Sequence, residues 1–494
     1  MSTLASPMIT DLIAGTLPET LTAVVAGEWT AVDAGSPTFP VYDPATEEVV
    51  AHFAQTPVDA VGAAVENAHA ARRGWARTAP VERGRVLVRA AEAVRAHAET
   101  LALLESIDTG KPISQARGDI AVTARYLEYY AGACDKFGGE TIPQADDTLA
   151  YTVREPYGVV AHITPWNAPI SQMMRGVAPC LAAGNTVVVK PSELTPLTTS
   201  LVAVLLVDAG LPAGVCNVVL GDGPSVGEAL VRHDLVRHIA FTGSVTSGQR
   251  VGRIAAERIV GCHLELGGKS PTIVCADADL PRAAKAGALA VIRNSGQSCF
   301  ATTRLFVHRS VHDEFVERVA AGMQGLSVGR GVDDPDLGPL VSGAQRDRVL
   351  SIVEQARAGG AEVVAGGHPP AERDSGFFVV PTLVTSVTND MPIARQEVFG
   401  PVQSVLAFDD LDEAIEQAND TPYGLSAGVF TADVGRAHRV ARDLQAGQVQ
   451  INRYAGAGVE IPFGGYKASG IGREKGIEAL LGYTQLKSVI VALA

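Results

Sequence analysis

Between residues 57 and 133 apolar side chains return at helical spacing, as in Val86-Leu-Val-Arg-Ala-Ala-Glu-Ala-Val. That period predicts successive amphipathic helices, each turning one stripe to a core. From residue 157 the pattern changes to short, continuously apolar, β-rich runs alternating with helical ones. The runs are Gly158-Val-Val-Ala-His-Ile, Thr186-Val-Val-Val, Val215-Cys-Asn-Val-Val-Leu and Ile239-Ala-Phe-Thr. Strands that are apolar on both faces belong inside a parallel sheet covered by helices. A second alternating block starts near Pro271-Thr-Ile-Val and extends to about residue 450, with Ala301-Thr-Thr-Arg-Leu-Phe-Val and Val402-Gln-Ser-Val-Leu-Ala-Phe as strands. Two α/β units are therefore expected. Gly138 to Arg154 reads as two short extended pieces around Ala145-Asp-Asp-Thr, and Ser488-Val-Ile-Val-Ala-Leu closes the chain. Projecting strands of this kind commonly extend a partner's sheet. The first 20 or so residues read as a loosely ordered extension.

Composition narrows the function classes. A chain of 494 residues with 47% hydrophobic and 19% charged residues exceeds one ordinary domain and has ample material for large cores. A net charge of -14 without a dense Lys/Arg run opposes binding to a nucleic-acid backbone. The six cysteines, Cys134, Cys180, Cys216, Cys262, Cys275 and Cys299, lie far apart with no C-x-x-C pair, which suits reduced thiols in a cytoplasm. Asp11 and Glu19 occupy a start that lacks the basic and apolar regions of a signal peptide. No apolar run approaches the roughly 20 residues of a membrane-spanning helix. No His/Cys/Asp cluster has metal-ligand spacing, so no metal is expected.

The chemistry-bearing segments are ambiguous one at a time. Gly221-Asp-Gly-Pro-Ser-Val-Gly follows a strand-like run but is spaced G-x-G-x-x-x-G, off the dinucleotide fingerprint, and suits an ordinary turn equally well. Phe241-Thr-Gly-Ser-Val-Thr-Ser-Gly opens a helical run, where backbone N–H groups can hold a pyrophosphate. Cys299 ends Asn294-Ser-Gly-Gln-Ser-Cys, a small, polar segment that suits a tight turn exposing a thiol, although most intracellular cysteines are inert core residues. Glu265, in His263-Leu-Glu-Leu-Gly-Gly-Lys, reads equally as an exposed charge before a turn. Asn167, between two prolines, reads as a turn former. Lys190 and Glu397 have the same double reading, and Phe399 would ordinarily be core.

Taken in order, these segments resemble the aldehyde dehydrogenase superfamily from about Val41-Tyr-Asp-Pro-Ala-Thr to Tyr483-Thr-Gln-Leu-Lys. The resemblance is carried by Pro165-Trp-Asn, Lys190-Pro-Ser-Glu, Phe241-Thr-Gly-Ser, Glu265-Leu-Gly-Gly-Lys, Gly296-Gln-Ser-Cys, Glu397-Val-Phe-Gly-Pro and Pro462-Phe-Gly-Gly-Tyr-Lys-Ala-Ser-Gly. It implies an α/β fold with two Rossmann-like domains and a small β oligomerisation extension. Residues 1–130 and 152–265 would form the NAD-binding domain, 266–450 the catalytic domain, 131–151 and 479–494 the extension, and 451–478 a return segment lining the active site. It further implies an NAD-dependent enzyme that oxidises an aldehyde to a carboxylic acid and assembles as a homodimer or homotetramer. Cys299 would be the nucleophile, forming a thiohemiacetal and then a thioester. Asn167 and the Cys299 backbone N–H would hold the oxyanion, and Glu265 would activate water.

The same resemblance assigns the cofactor to Ile163, Thr164, Pro165, Trp166, Lys190, Ser192, Glu193, Gly223, Gly227, Phe241, Thr242, Gly243, Ser244, Gly248, Leu266, Glu397 and Phe399. Lys190 and Glu193 match the positions on the adenosine ribose, where a carboxylate accepts from a 2′-hydroxyl and repels a 2′-phosphate. NAD is therefore expected over NADP. Arg175 and Arg293 match the arginines that grip the carboxylate in succinate-semialdehyde dehydrogenases, but an Arg matching Arg175 also occurs in aromatic aldehyde dehydrogenases, and Arg293 also reads as a structural ion pair. A semialdehyde or an aromatic aldehyde is thus the expected substrate, and the glycine-rich segment Arg453-Tyr-Ala-Gly-Ala-Gly-Val-Glu leaves room for bulk. Gly176 stands where many relatives have a Lys near the active site. That absence leaves Glu474 as the relay carboxylate and the path of the Glu265 proton open. Gln396 replaces a frequent Glu. The alternatives are a CoA-acylating semialdehyde dehydrogenase, which generally lacks the Glu265 base, and a non-catalytic NAD-binding scaffold, which would not need Cys299, Asn167 and Glu265 together. A redox-sensor role for Cys299 lacks an obvious resolving cysteine.

Overall fold

Four helices fill the early helical segment: Val58–Arg77, Pro80–Ala96, Ala98–Thr109 and Ile113–Ala131. This computed structural model describes residues 15–32, 35–454, 456 and 458–493. The first two helices bury the stripes their period marks, Val61, Ala64, Val65 and Ala68 on one and Val86, Leu87, Ala90, Ala91 and Val94 on the other. The third ends at Gly110 in the left-handed region (φ 78°), where a Cβ would lie 2.5 Å from Pro339 Cγ. Glycine meets both demands there. Of the N-terminal extension expected from sequence, residues 1–14 lie outside the described residues.

The first unit is built on a sheet whose parallel strands lie in the order Gly261–Glu265, Val236–Thr242, Val159–Ile163, Thr186–Lys190 and Cys216–Val218. Chain order reverses between Val159–Ile163 and Val236–Thr242. Such a reversal opens a crevice at the carboxyl ends of the strands, the usual ligand position in open α/β sheets. Ile163, Lys190, Thr242 and Glu265 are the last residues of four of these strands. The short strand Gly470–Ile471 pairs antiparallel with Gly261–Glu265 and fixes the late segment beside Glu265.

The second unit has parallel strands Thr382–Thr385, Val402–Phe408, Arg304–His308, Pro271–Val274, Ser426–Phe430 and Gln448–Ile451, with Glu362–Ala365 antiparallel at one edge. A separate sheet projects from the two units. In it Thr484–Ala492 pairs antiparallel with Thr148–Pro156 along its whole length, and Thr141–Ile142 adds the third strand. Two Rossmann-like α/β units with a projecting β extension are the fold expected from the sequence. No described helix is long and apolar enough to cross a membrane.

Candidate active site

The helix Leu280–Ile292 stops at a turn in which Asn294, Ser295 and Gly296 all have positive φ (50°, 53° and 71°). Two non-glycine residues in that region store backbone strain, which surrounding bonds must hold. Asn294 Nδ2 donates to the carbonyls of Asn167 (2.8 Å) and Gln297 (3.2 Å), and Asn167 Nδ2 donates to Gln297 O (2.9 Å). The Gln297 side chain accepts from Val341 N (2.9 Å), and Ser295 Oγ donates to Gly338 O (2.8 Å). At Gly296 a Cβ would lie 2.0 Å from Gly400 O, so the turn crosses a neighbouring backbone that only glycine clears. The result ties Asn167 to the Cys299 turn. One N–H of the Asn167 amide is used; the amide has two. Cys299 itself is partly buried. Burial pushes its thiol up to about 12, against an opposing pull from the Arg175 charge.

Glu265 closes its strand with both carboxyl oxygens buried and unbonded among the described residues. A Cβ on Gly464 would lie 2.8 Å from Glu265 Oε1, so that glycine makes the carboxyl's place. Burial, and then the Glu474 charge, raise the Glu265 pKa well above the ordinary carboxylate value, while Arg175, Arg473 and Lys475 oppose the rise. Arg175 Nε is in ion-pair contact with Glu474 Oε2, both side chains being buried. Its guanidinium lies 5.4 Å from the Phe463 ring centroid, and Nη2 reaches Thr242 Oγ1 at 3.4 Å. Burial works against the Arg175 charge, but Glu474 and Glu265 outweigh it and raise its pKa.

This changes the reading of two positions. The structural ion pair expected of Arg293 belongs to Arg175, while Arg293 is exposed and has no ion-pair or hydrogen-bond partner for its side chain among the described residues. At Gly176 a Cβ would lie 1.9 Å from His162 Cε1, so the missing side chain makes room for a buried imidazole. Arg175, one residue earlier on the helix Pro169–Ala182, supplies the cation beside Glu474 instead.

Next to Cys299 a cavity of about 310 Å³ is lined by Pro165, Trp166, Thr242, Gly243, Ser244, Glu265, Leu266, Glu397 and Phe399, all sequence candidates, and by Gln172, Gly267, Gln345 and Arg348. Trp166 and Phe399 meet edge to face, with centroids 5.1 Å apart. Glu397 Oε1 accepts from Gly268 N (2.9 Å), and burial pushes its carboxyl up to about 7. Ser244 caps the helix Val245–Arg258, whose first turn carries no acidic residue, and Gly248 makes room for Leu266 (2.4 Å to a Cβ). Farther along, Thr164 N donates to Lys190 O (3.1 Å) and Lys190 Nζ lies 3.2 Å from Glu193 Oε2. A Cβ on Gly227 would be 3.8 Å from both Ile163 Cδ1 and Lys190 Cδ, so the Gly223–Gly227 turn lies over those residues. Ser192 Oγ accepts from Leu194 N (3.3 Å).

A second cavity, of about 520 Å³, opens on the other side of Cys299. Asn167, Gln172 and Cys299 line both. Its walls include Phe300, Phe463, Tyr126, Arg175, Arg293 and Lys475. Phe300 stacks on Tyr454 (5.9 Å) and meets Phe463 edge to face (6.5 Å). Sequence reading missed Gln172, Lys475 and the face of Ile113–Ala131 formed by Gln115, Asp119, Val122 and Tyr126. The spacing of that face, one turn per step, was the available signal. Ala455 and Ala457, in the glycine-rich segment expected to leave room here, lie outside the described residues.

Residues 29–489 match the aldehyde dehydrogenase family. The chain is 45% identical over 471 residues to a betaine aldehyde dehydrogenase of Mesorhizobium japonicum, covering 94% of this chain and 96% of that one. A betaine aldehyde dehydrogenase of Brucella anthropi is 44% identical over 473 residues, with 95% and 96% covered. Among solved structures, the NAD+ complex of an aldehyde dehydrogenase from Bacillus cereus superposes with a TM-score of 0.95 at 42% identity, covering 98% of both chains. A betaine aldehyde dehydrogenase from Staphylococcus aureus in complex with NAD+ gives 0.95 at 36% identity, covering 98% of this chain and 96% of that one. By sequence and by fold along nearly its whole length, the chain belongs to the aldehyde dehydrogenase family.

Proposed function

We propose that this protein oxidises an aldehyde to a carboxylic acid, with Cys299 as the covalent nucleophile and NAD as hydride acceptor. The observation that carries the reading is that two cavities of different character meet at Cys299. One lies at the sheet's switch point, beside a helix N-terminus free of acidic residues, and fits a dinucleotide. NAD bound there supplies the hydride acceptor, and the NAD+ complexes of similar proteins support that choice. Pro165, Trp166, Thr242, Gly243, Ser244, Leu266, Glu397 and Phe399 would hold its nicotinamide side. Ile163, Thr164, Lys190, Ser192, Glu193, Gly223, Gly227, Phe241 and Gly248 would hold the remainder, with Glu193 favouring NAD over NADP.

In the unliganded chain burial pushes the Cys299 thiol up to about 12, which keeps it protonated at neutral pH, and burial with the Glu474 charge raises the Glu265 carboxyl well above the ordinary carboxylate value. The thiolate of Cys299 is the reactive form. It adds to the aldehyde carbon, and the new oxyanion takes hydrogen bonds from the Asn167 amide and the Cys299 N–H; removing one such donor costs about 10²–10³ in kcat. After hydride leaves, the thioester is hydrolysed by water that Glu265 deprotonates. A buried carboxyl with both oxygens unbonded among the described residues suits that task.

In this reading residues 1–130 and 152–265 form the NAD-binding domain, 266–450 the catalytic domain, and 451–478 the segment closing the active site. Residues 131–151 and 479–494 would build a homodimer or homotetramer, which the exposed Leu486 and Ile490 on the outer strand support. Six free thiols suit a cytoplasmic protein. A semialdehyde or an aromatic aldehyde is the proposed substrate class, the second supported by the walls Phe300 and Phe463. The test is NADH formation with a panel of aldehydes, with and without CoA. CoA-independent NADH that disappears in Cys299→Ala is expected. Activity that survives the substitution would overturn the mechanism.

A further inference from the structure

The helix Pro169–Ala182 starts just after Asn167 and presents Ser171, Gln172 and Arg175 to the larger cavity, of about 520 Å³. Of these three, only Gln172 also lines the cofactor-side cavity, so it stands with Asn167 and Cys299 where the two spaces meet. Gln172 N donates to Ala168 O (2.9 Å), which fixes the residue in the first turn of the helix and mounts its side chain on a rigid element.

Every other side-chain amide lining the two cavities has a hydrogen-bond partner. Asn167 Nδ2 donates to Gln297 O (2.9 Å), Asn294 Nδ2 to Asn167 O (2.8 Å), Gln297 Nε2 to Asn294 O (3.1 Å) and Gln345 Nε2 to Phe399 O (2.8 Å). Gln115 Oε1 accepts from Asn294 N (2.8 Å). Gln172 makes no side-chain hydrogen bond to a described residue, and its Oε1 is buried. A buried acceptor without a donor is rare in native proteins, because the cost of drying it is returned only when something donates to it. An apolar side chain at the same place would carry no such cost.

We propose that Gln172 is a specificity-determining residue whose Oε1 accepts from a hydroxyl next to, or one carbon removed from, the aldehyde, so that the site prefers hydroxylated aldehydes to their plain counterparts. The inference rests on the dehydrogenase reading above and narrows the substrate class of that same site. Position sets where the hydroxyl lies, because a carbonyl carbon bonded to Cys299 sits at the junction that Gln172 also faces. Chemistry sets what it must be. The carbonyl oxygen is itself an acceptor, taken by the Asn167 amide and the Cys299 N–H, so an O–H on a neighbouring carbon supplies the proton that Oε1 lacks. The donor belongs to the substrate because Ser171 and Arg175, the polar neighbours of Gln172 on its helix, face the larger cavity and not the other. A plain aldehyde in the same place leaves Oε1 dry and unpaired, and a site built for a hydroxyl discriminates against the analogue without one for that reason.

The experiment measures kcat/KM by NADH formation for two matched pairs, glycolaldehyde with acetaldehyde and 3-hydroxypropanal with propanal, and for benzaldehyde alongside them. Wild type is compared with Gln172→Met, which keeps the bulk and removes the acceptor, and with Gln172→Glu, which keeps an acceptor and removes the amide N–H. In the wild type each hydroxylated aldehyde is expected to exceed its plain partner by about tenfold, chiefly through KM, and Gln172→Met is expected to erase that preference. Gln172→Glu is expected to keep it. Each ratio is taken within one preparation, so the folded fraction cancels, and the hydration of each aldehyde cancels between variants. A preference missing from the wild type, or unchanged in Gln172→Met, would overturn the proposal. Its loss in Gln172→Glu would do the same by assigning the role to the N–H. An unchanged ratio with a raised KM for NAD in Gln172→Met would place the donor on the cofactor and overturn it as well. Benzaldehyde oxidised while all four small aldehydes are refused would end the proposal and leave the dehydrogenase standing, whereas no NADH from any aldehyde would overturn both.

Discussion

Glu474→Gln removes one negative charge from a cluster in which two carboxyls and a guanidinium share a nearly dry space. The paired side chains of Arg175 and Glu474 are 6% and 3% exposed, so solvent screens them little. Glutamine keeps the shape but leaves Arg175 without its full counter-charge. Removing one partner of a buried pair costs about 3–5 kcal/mol, and Glu265, close enough to act on the same guanidinium, keeps the expected loss near the lower end. The sharper consequence falls on Glu265. After burial, the Glu474 charge is the largest influence raising its pKa, and Arg175 is the largest lowering it. With Glu474 neutral, Arg175 acts on Glu265 without that opposing charge, and the Glu265 pKa drops. The acid limb of kcat/KM, followed by NADH formation from about pH 5 to 9, is expected to move to lower pH. A purely structural role would lower activity evenly across the range. An acid limb that stays in place, or moves to higher pH, would refute the electrostatic reasoning.

Other outcomes follow from the same packing. Gly176→Ala puts a methyl 1.9 Å from His162 Cε1 and should lower thermal stability by about 2 kcal/mol or more, whereas a neutral result would mean that His162 can leave its place. The buried imidazoles of His162, His263 and His238 are held neutral chiefly by burial, at about 3, about 4 and well below the ordinary value respectively. Because these folded values lie below the unfolded value of about 6.5, their contribution is present above that pH and is lost as pH falls toward the folded values. Together they should cost about 4 kcal/mol per pH unit below about pH 6, read as a falling urea midpoint; a midpoint flat from pH 7 to 5 would contradict it.

Most of the fold was legible because its signals are local. The period in Val86–Val94 and the runs at Thr186 and Val402 report burial on one or both faces, and the helices and strands lie where those runs are. Cys299, Asn167 and Glu265 were marked by motif order, and the hydrogen bonds between the Asn167 and Cys299 segments explain why segments so distant in sequence matter together. Charge partnership was not legible. Nothing local says that Glu474 takes Arg175 and leaves Arg293 at the rim, because that depends on the strand Gly470–Ile471 docking against Gly261–Glu265. Lys475 was hidden for the same reason, since its place in the cavity follows from an unusual backbone angle.

The account stands on a thioester at Cys299 that Glu265 helps to hydrolyse, and Glu265→Gln tests it by slowing only the second half of the reaction. With NAD and aldehyde, this variant should release a burst of about one NADH per chain and gain the mass of one acyl group, mapped by peptide mass spectrometry to Cys299. Sustained turnover with no adduct, an adduct on another residue, or neither burst nor adduct would contradict it.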